Sequence, residues 1–341
     1  MKILFVTGES FPPEPTGGAE ITLDQLARAL VARGHDCAAV TVSGTRLGRL
    51  ARKLAPTLER DPGHAYPLVR AAGVTKARVR VAEGLQARPD VVVCSNTRDI
   101  AVPRLAAAAA RVLVLVQDAQ FRGYIDWLPP AAVVAAVSHF LAGELRRRAG
   151  VVAHVLYPYV ELPAYHAGPR RPDHVTLLSP LRHKGRELFL AVAALLPRRR
   201  FALVDSPYLP AGERLDLLRR LPANVALVPP AANPRALYAR TSVLMVPSTD
   251  EAFGRVIVEA QVNGIPVVAR RTGGIPEALG DAGVLLPPDA PVAAWADAVE
   301  GILSDPTRAA ALGERARAAA TRPELAPATI VDRFLELCVQ A

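Results

Sequence analysis

The sequence predicts an α/β protein built from two doubly wound, Rossmann-like domains with parallel sheets. The chain has 341 residues, of which 51% are hydrophobic and 21% charged, and this length and composition suit two domains with sizeable cores. Short aliphatic runs alternate with helical patterns along the chain, as in parallel sheets that carry helices on both faces. A proline-rich stretch at residues 163–172 separates two such series.

Aliphatic runs predict the strands of both domains. In the first domain they are residues 3–6, 37–42, 91–94, 112–116 and 133–137. In the second they are residues 175–179, 201–204, 225–228, 243–246, 267–269 and 284–286. The clearest helix covers residues 19–33 and is followed by the stop signal Gly34, and a last helix is expected at 328–339. We therefore divide the chain into residues 1–162, residues 163–322 and a helical segment at 323–341.

The composition weighs against several classes of protein. Cys37, Cys94 and Cys338 are odd in number and lack any Cys-x-x-Cys spacing, which argues against a disulfide framework or zinc site and favours a reducing cytoplasm. No apolar run approaches the ~18–20 residues of a membrane span. The net charge of +9 is compatible with nucleic-acid binding, but aromatics are not interleaved with the basic residues and no DNA-binding motif occurs. We therefore expect a protein without a nucleic-acid partner.

Residues 243–264 form the most informative stretch. An apolar strand leads into a polar loop with Glu251, and a helix is expected from about Gly254 to Gly264. The first N–H groups of a helix lack intrahelical partners and attract an anion, so this segment resembles a phosphate cradle. Glu251 and Glu259 are eight residues apart, about 12 Å by helical rise. This exceeds the ~5–9.5 Å between glycosidase carboxylates and suits the two ends of an elongated ligand. A plain helix-start carboxylate and a solvated glutamate are the alternative.

Two further positions suggest phosphate binding. Lys184 is the only lysine beyond residue 76 in a chain that otherwise uses arginine, which indicates a site for a compact charge at a strand–helix turn. Gly17 and Gly18 precede the first long helix, and paired glycines permit close approach of the backbone to a diphosphate. An exposed helix-start lysine and an ordinary tight turn remain the alternatives. No Asp-x-Asp motif occurs, and we expect neither a metal nor a cofactor.

The segment Glu251-Ala-Phe-Gly-Arg-Val-Ile-Val-Glu259 resembles the Glu-x7-Glu signature of retaining GT-B glycosyltransferases of family 4. The Gly17-Gly18 loop, Lys184-Gly185 and Gly273-Gly274-Ile-Pro-Glu277 are similar to other features of that family. The resemblance implies two domains facing across a cleft, with donor on the second, acceptor on the first and the final helix packed back on the first. It also implies metal-independent sugar transfer from a UDP, GDP or dTDP sugar to a hydroxyl of a small molecule, with retention of the anomeric configuration. An epimerase or hydrolase on this fold, and a lipid or cell-wall acceptor, remain open.

The resemblance also implies roles for individual residues. Glu259 would bind the nucleotide ribose and Glu251 the hydroxyls of the donor sugar. The backbone amides that would hold sugar and phosphate belong to Phe253, Gly254, Arg255 and Val256. Lys184 and Arg182 would stabilise the leaving diphosphate, close to the Gly17-Gly18 loop.

The chain departs from the family at two places. Ser179 stands where the family has an arginine, so Arg182 is expected to substitute for it. Gln117 stands where many members have a histidine, and Gln117 and Asp118 are expected to line the acceptor side, with Asp118 as a candidate for proton transfer. The short length and the Ser179-Pro180 pair resemble enzymes that decorate actinobacterial natural products of the orthosomycin (avilamycin) type.

Most of the excess charge lies in residues 45–88, which carry ten basic and three acidic side chains. Arg49, Arg52 and Lys53 alternate with leucines at helical spacing, which predicts a basic amphipathic segment. Three interpretations stay open for it: a solvated face, recognition of an acidic acceptor, and weak contact with an anionic membrane surface.

Overall fold

The computed structural model divides the protein into two compact units. One consists of Met1–Tyr159 with Pro327–Ala341, and the other of Val160–Ala326. The structure describes residues 1–8, 11–12, 17–42, 65–71, 74–95, 106–108, 110–121, 128–230 and 233–341. The basic segment around Arg49, Arg52 and Lys53 lies outside the described residues.

The first unit contains a parallel seven-stranded sheet in the order β3-β2-β1-β4-β5-β6-β7. Its strands are β1 (Lys2–Thr7), β2 (Asp36–Val42), β3 (Leu68–Ala71), β4 (Val91–Ser95), β5 (Arg111–Val116), β6 (Val133–Ala136) and β7 (His154–Val155). Before residue 150, the described residues of this unit form the helices α1 (Gly18–Ala32), α2 (Val74–Gln86) and α3 (His139–Ala149). The central strands are buried along almost their whole length, as parallel strands covered on both faces are.

The second unit contains a parallel six-stranded sheet in the order β10-β9-β8-β11-β12-β13. Its strands are β8 (His174–Leu178), β9 (Phe201–Val204), β10 (Val225–Val228), β11 (Thr241–Val246), β12 (Val267–Arg270) and β13 (Gly283–Leu286). Its helices are α4 (Leu162–Tyr165), α5 (Arg186–Leu195), α6 (Ala211–Arg220), α7 (Pro234–Arg240), α8 (Arg255–Val262), α9 (Ile275–Leu279), α10 (Val292–Leu303) and α11 (Pro306–Ala320). Trp295 of α10 is fully buried in its core.

The last helix, α12 (Pro327–Gln340), belongs to the first unit although it follows the second in sequence. Its apolar face is buried, and the Phe334 ring stacks on Phe5 of β1 with 6.1 Å between ring centroids. Arg33 at the end of α1 also forms an ion pair with Asp332.

All eleven predicted strands occur, with ends shifted by at most two residues, and the sequence missed the short strands β3 and β7. The unit boundaries at 159/160 and 326/327 lie three or four residues from the sequence-based divisions at 162/163 and 322/323. Among the described residues, no helix combines the length and apolar character that a membrane crossing needs.

Each sheet has one place where the strand order reverses. In the first sheet β1 lies beside β4, and in the second β8 lies beside β11. The connections that leave the two neighbours run to opposite sides, which opens a crevice at the carboxyl ends of the strands. Ligands of open α/β sheets bind at this point. The fold therefore selects the loops after these strands as candidate sites.

Candidate functional site

Three loops pack together at the carboxyl edge of the second sheet. They follow β8, β11 and β12, and they carry Lys184, Glu251 and Gly273 respectively. The N–H of Thr249 donates to the carbonyl of His183 at 2.8 Å, and the N–H of Gly274 donates to the carbonyl of Glu251 at 2.9 Å. The loop of Glu251 is therefore fixed from both sides.

Two glycines allow this close packing. Gly185 has φ +83°, and a Cβ there would lie 2.5 Å from the carbonyl oxygen of Pro247. Gly273 has φ +55°, and a Cβ there would lie 2.0 Å from the carbonyl oxygen of Glu251. Both distances are far below van der Waals contact, and both φ values disfavour other residues. Both glycines were identified as family features in the sequence analysis, and the structure shows that a larger residue at either position would clash with a neighbouring carbonyl.

The N-terminus of α8 begins directly after the Glu251 loop. Gly254 precedes it with φ +99°, and no side chain caps this end of the helix. The N–H of Ile257 turns back to the carbonyl of Gly254 at 2.8 Å, whereas the N–H of Val256 has no acceptor among the described residues. An anion would gain a hydrogen bond and the favourable end of the helix dipole here.

Lys184 and Glu251 form a direct ion pair beside this helix end. The distance from Lys184 Nζ to Glu251 Oε2 is 2.7 Å, and the side chains are 28% and 17% exposed. The structure thus brings together two residues that the sequence analysis selected separately. Glu251 precedes α8 by four residues, so helical rise describes only part of its separation from Glu259.

The Glu259 carboxylate is buried and held from two directions. Arg255 Nε donates to Oε1 at 2.8 Å, and the Tyr238 hydroxyl donates to Oε2 at 2.6 Å. Arg255 also donates to the Tyr165 hydroxyl at 2.7 Å. A carboxylate has about four acceptor positions, so these bonds leave capacity for a ligand hydroxyl. Glu259 is thus a buried, oriented acceptor, and the alternative of a solvated helix position is wrong.

The same contacts set the protonation of this cluster. Burial and the neighbouring carboxylate of Glu259 raise the pKa of Tyr238 well above its usual range. Burial is the largest influence and acts to lower the pKa of Arg255, but the charge and hydrogen-bond effects of Glu259 and Tyr165 together outweigh it and the pKa rises. Tyr238 therefore stays a neutral donor and Arg255 stays charged. The sequence analysis missed Tyr238 and Tyr165, because no spacing in the sequence links α4 and α7 to α8.

Arg182 lies at the surface. Its side chain is 73% exposed, and its Nε is 3.7 Å from Glu213 Oε2. The buried arginine of this turn is Arg186, which is 1% exposed and donates to the carbonyl of Pro180 at 3.0 Å. Sequence analysis did not select Arg186, because its burial on one face of α5 depends on tertiary packing. Among the described residues, the Arg182 side chain forms no hydrogen bond or ion pair with Lys184 or Glu251. The prediction that Arg182 replaces the family arginine therefore stays a prediction.

In the first unit, Gln117 lies beside the strand reversal. Its Nε2 donates to Ser95 Oγ at the end of β4 at 3.0 Å and to the carbonyl of Ala19 in α1 at 3.2 Å. Gly17 is the residue that precedes α1, and no side chain caps that helix either. Asp118 is exposed and accepts from the N–H of Gln120 at 2.9 Å. Gln117 and Gly17 therefore belong to one edge of the sheet.

In the described part of the chain, no group of three or more His, Cys, Asp or Glu side chains is placed to hold a metal ion. The three cysteines are buried and unpaired, and burial raises the pKa of the Cys94 thiol to about 12.

Comparisons with known proteins agree with this architecture. Residues 16–164 match the family described as Glycosyltransferase Family 4, and residues 176–319 match the family described as Glycosyl transferases group 1. A D-inositol 3-phosphate glycosyltransferase of Mycobacterium avium (strain 104) is 34% identical over 187 residues, which are 48% of this chain and 44% of the relative. The matched part thus spans less than half of that relative.

Solved structures show the same fold over the whole chain. Anabaena HepE, crystallised with UDP-glucose, has a TM-score of 0.80 at 21% identity and covers 100% of both chains. AviGT4, a glycosyltransferase involved in avilamycin A biosynthesis, has a TM-score of 0.65 at 18% identity and covers 99% of this chain and 97% of its own.

The two parallel-sheet units and these matches define a GT-B fold, and the predicted fold class is confirmed. By sequence, the two halves match glycosyltransferase families in consecutive order. The first half of the chain is therefore similar to family 4 glycosyltransferases and the second half to group 1 glycosyltransferases.

Proposed function

We propose that this chain transfers a sugar from a nucleotide diphosphate sugar to a hydroxyl of a small-molecule acceptor, with retention of the anomeric configuration. The observation that carries the proposal is the Lys184–Glu251 pair beside the uncapped N-terminus of α8, at the strand reversal of the second sheet. The matches of both halves to glycosyltransferase families support it.

The donor would bind along α8. Its diphosphate would meet the Lys184 ammonium and the N–H groups at the start of the helix, and its ribose would donate to Glu259. Glu251 would accept from hydroxyls of the donor sugar, and the backbone of Phe253 would lie against that sugar. The HepE structure holds UDP-glucose, which supports a donor of the nucleotide sugar type.

For the chemical step we propose a reaction on one face of the sugar. The bond from the anomeric carbon to the diphosphate oxygen breaks, and the acceptor oxygen forms its bond on the same face. The acceptor proton passes to the departing phosphate oxygen. Lys184 and the helix N-terminus stabilise the negative charge that develops, and this arrangement requires neither a cofactor nor a metal.

The acceptor would be a small molecule that approaches Gln117 and Asp118. The relatives named D-inositol 3-phosphate glycosyltransferases favour a phosphorylated polyol, and the likeness to AviGT4 keeps an actinobacterial natural product as the second candidate. A natural product was the acceptor expected from the sequence alone.

A binding test comes first. UDP, GDP and dTDP are titrated into the purified chain by calorimetry, and one of them is expected to bind. Absence of binding by all three would overturn the proposal.

A product test then separates the reaction classes. The nucleotide sugars of the base that binds are incubated with inositol phosphate, with natural-product aglycones, and without acceptor. Products are identified by mass spectrometry, and their sugar configuration is assigned by NMR. Glycosylated acceptor with the α configuration of an α-linked donor is expected. Consumption of the donor without acceptor would instead indicate a hydrolase or epimerase. Activity that survives a chelator is expected as well.

A further inference from the structure

A cavity of about 390 Å³ lies at the amino edge of the second sheet. Its walls come from the segments that enter β8, β11 and β12 and from α11; they include Arg170, Ser242, Gly264, Glu314 and Arg317. Lys184 and Glu251 lie beyond the other ends of these strands. Strands of four to six residues at about 3.3 Å per residue place the two edges roughly 13–20 Å apart. The cavity is therefore separate from the candidate donor site.

Two guanidinium groups converge on Gly264 in this cavity. Arg170 Nη1 donates to the carbonyl of Asn263 at 2.9 Å and so caps the C-terminus of α8. A Cβ at Gly264 would lie 2.6 Å from Arg317 Cζ, so the Arg317 guanidinium covers the glycine. Within the part of the chain that the structure describes, neither arginine has an ion pair with a carboxylate, and Glu314 pairs with neither.

Among the described residues, the Arg170 guanidinium is held by backbone carbonyls and not by a carboxylate, since Nη1 donates to Asn263 and Nη2 to Thr241. Arg170 Nε is buried and has no hydrogen-bond partner among the described residues. Burial, and next the charge of Arg317, lower the pKa of Arg170. A buried donor without an acceptor and two adjacent like charges are both unfavourable, and an anion between them would relieve both.

We propose that this cavity, called here the arginine cavity, binds a phosphate dianion, as inorganic phosphate or as a phosphomonoester. Two guanidiniums match the charge of a phosphate dianion, and their planar N–H groups fit its oxygen atoms. The volume also lies in the range of small-molecule sites. The proposal does not rest on the transferase activity.

Inorganic phosphate is the first probe, titrated by calorimetry against the full chain at constant ionic strength in chloride. Arg317→Ala is expected to weaken binding by about tenfold or more, because a charge-assisted bond is lost. Arg315→Ala is the matched control, since Arg315 is exposed on the same helix and does not line the cavity. Equal affinity in the Arg317→Ala and Arg315→Ala variants would overturn the proposal.

Two further variants sharpen the result. Glu314→Gln removes the one carboxylate that the described residues place in the cavity wall. It is expected to strengthen phosphate binding, a gain that a loss of stability cannot imitate. Lys184→Ala is expected to leave this binding intact. Binding that is lost in Lys184→Ala but kept in Arg317→Ala would show that phosphate binds at the donor site. This result would refute the proposal for the arginine cavity and leave the proposed transferase function untouched. Glycerol 3-phosphate in place of inorganic phosphate then distinguishes a phosphomonoester from the free ion.

Discussion

Glu259 is the residue whose surroundings differ most from what its sequence position suggests. A glutamate one turn after a helix start commonly faces solvent, yet Glu259 is buried between Arg255 and Tyr238. Burial of a charge is stable only when partners hold it. The two donors therefore also fix the direction in which its remaining lone pairs point.

Glu259→Gln is the first test of the ribose role. The amide keeps the size of the side chain but loses the charge that a ribose hydroxyl would meet, and such a charge-assisted bond is worth ~1.5–3 kcal/mol. We expect nucleoside diphosphate affinity, measured by calorimetry, to fall by about tenfold or more. Glu324→Gln serves as control on the surface. An unchanged affinity would refute the assignment.

Lys184→Ala tests the charge on the leaving group. Removal of one preorganised donor typically lowers turnover ~10²–10³-fold. We expect this loss at saturating donor, while thermal unfolding changes by a few degrees at most, since the side chain is partly exposed. Arg182→Ala is the matched comparison, because Arg182 pairs only distantly with Glu213. A larger effect of Arg182→Ala would restore it as the replacement for the family arginine.

Ser179 adopts a strained backbone at the end of β8. Its φ of +119° is rare for a residue with a Cβ, and such strain costs about 1–3 kcal/mol. Ser179→Gly is expected to raise the free energy of unfolding by about 1 kcal/mol after the entropy of glycine is subtracted. Ser304→Gly, at an ordinary φ of −92°, should instead lower it. Both variants are measured by denaturant unfolding, and a lower free energy of unfolding in Ser179→Gly would contradict the prediction.

At the scale of elements, the candidate site depends on loops more than on helices. The Glu251 loop is held by the carbonyl of His183 on one side and by Gly273-Gly274 on the other. Lys184 can meet Glu251 only because these loops leave adjacent strands of one sheet edge. The pair is therefore a product of strand order as well as of the residues themselves.

Gly273→Ala should displace the loop that carries Glu251. The new Cβ would overlap the carbonyl of Glu251, and the positive φ would strain it as well. We expect weaker nucleotide binding by calorimetry and a loss of stability of about 1–3 kcal/mol. Gly212→Ala in α6 is the control, since a Cβ there meets nothing within 4 Å. Full nucleotide affinity in Gly273→Ala would show that the loop packing does not position the site.

Most of the strands could be predicted from the sequence. The long aliphatic runs identified the eleven main strands because buried parallel strands are apolar throughout. The strand β3 contains Arg70 and so forms no continuous aliphatic run, and β7 has only two residues, too few for a pattern to detect. In the same way Lys184, Glu251 and Glu259 stand out by residue type and spacing, whereas Tyr238, Tyr165 and Arg186 take part through tertiary contacts that no local pattern encodes.

At the scale of the whole molecule, the chain passes between its two units twice. It leaves the first unit after Tyr159 and returns to it at Pro327, so α12 completes a core whose strands were formed at the start of the chain. Phe334 and Leu337 of α12 are fully buried in that unit. The first unit is therefore complete only when the last 15 residues are present.

Phe334→Ala measures how much the packing of α12 contributes to the stability of the first unit. The ring stacks on Phe5 and is fully buried, and a buried Phe→Ala change costs about 3–5 kcal/mol through lost transfer energy and the cavity left behind. Val339→Ala on the same helix is the matched control, because Val339 is 65% exposed and should change stability by no more than about 0.5 kcal/mol. Both are measured by denaturant unfolding of the full chain. The nucleotide affinity of the folded Phe334→Ala protein should stay at the level of the unmodified chain, because Lys184, Glu251 and Glu259 lie in the second unit. A small loss of stability would mean that α12 only covers the first unit instead of completing its core.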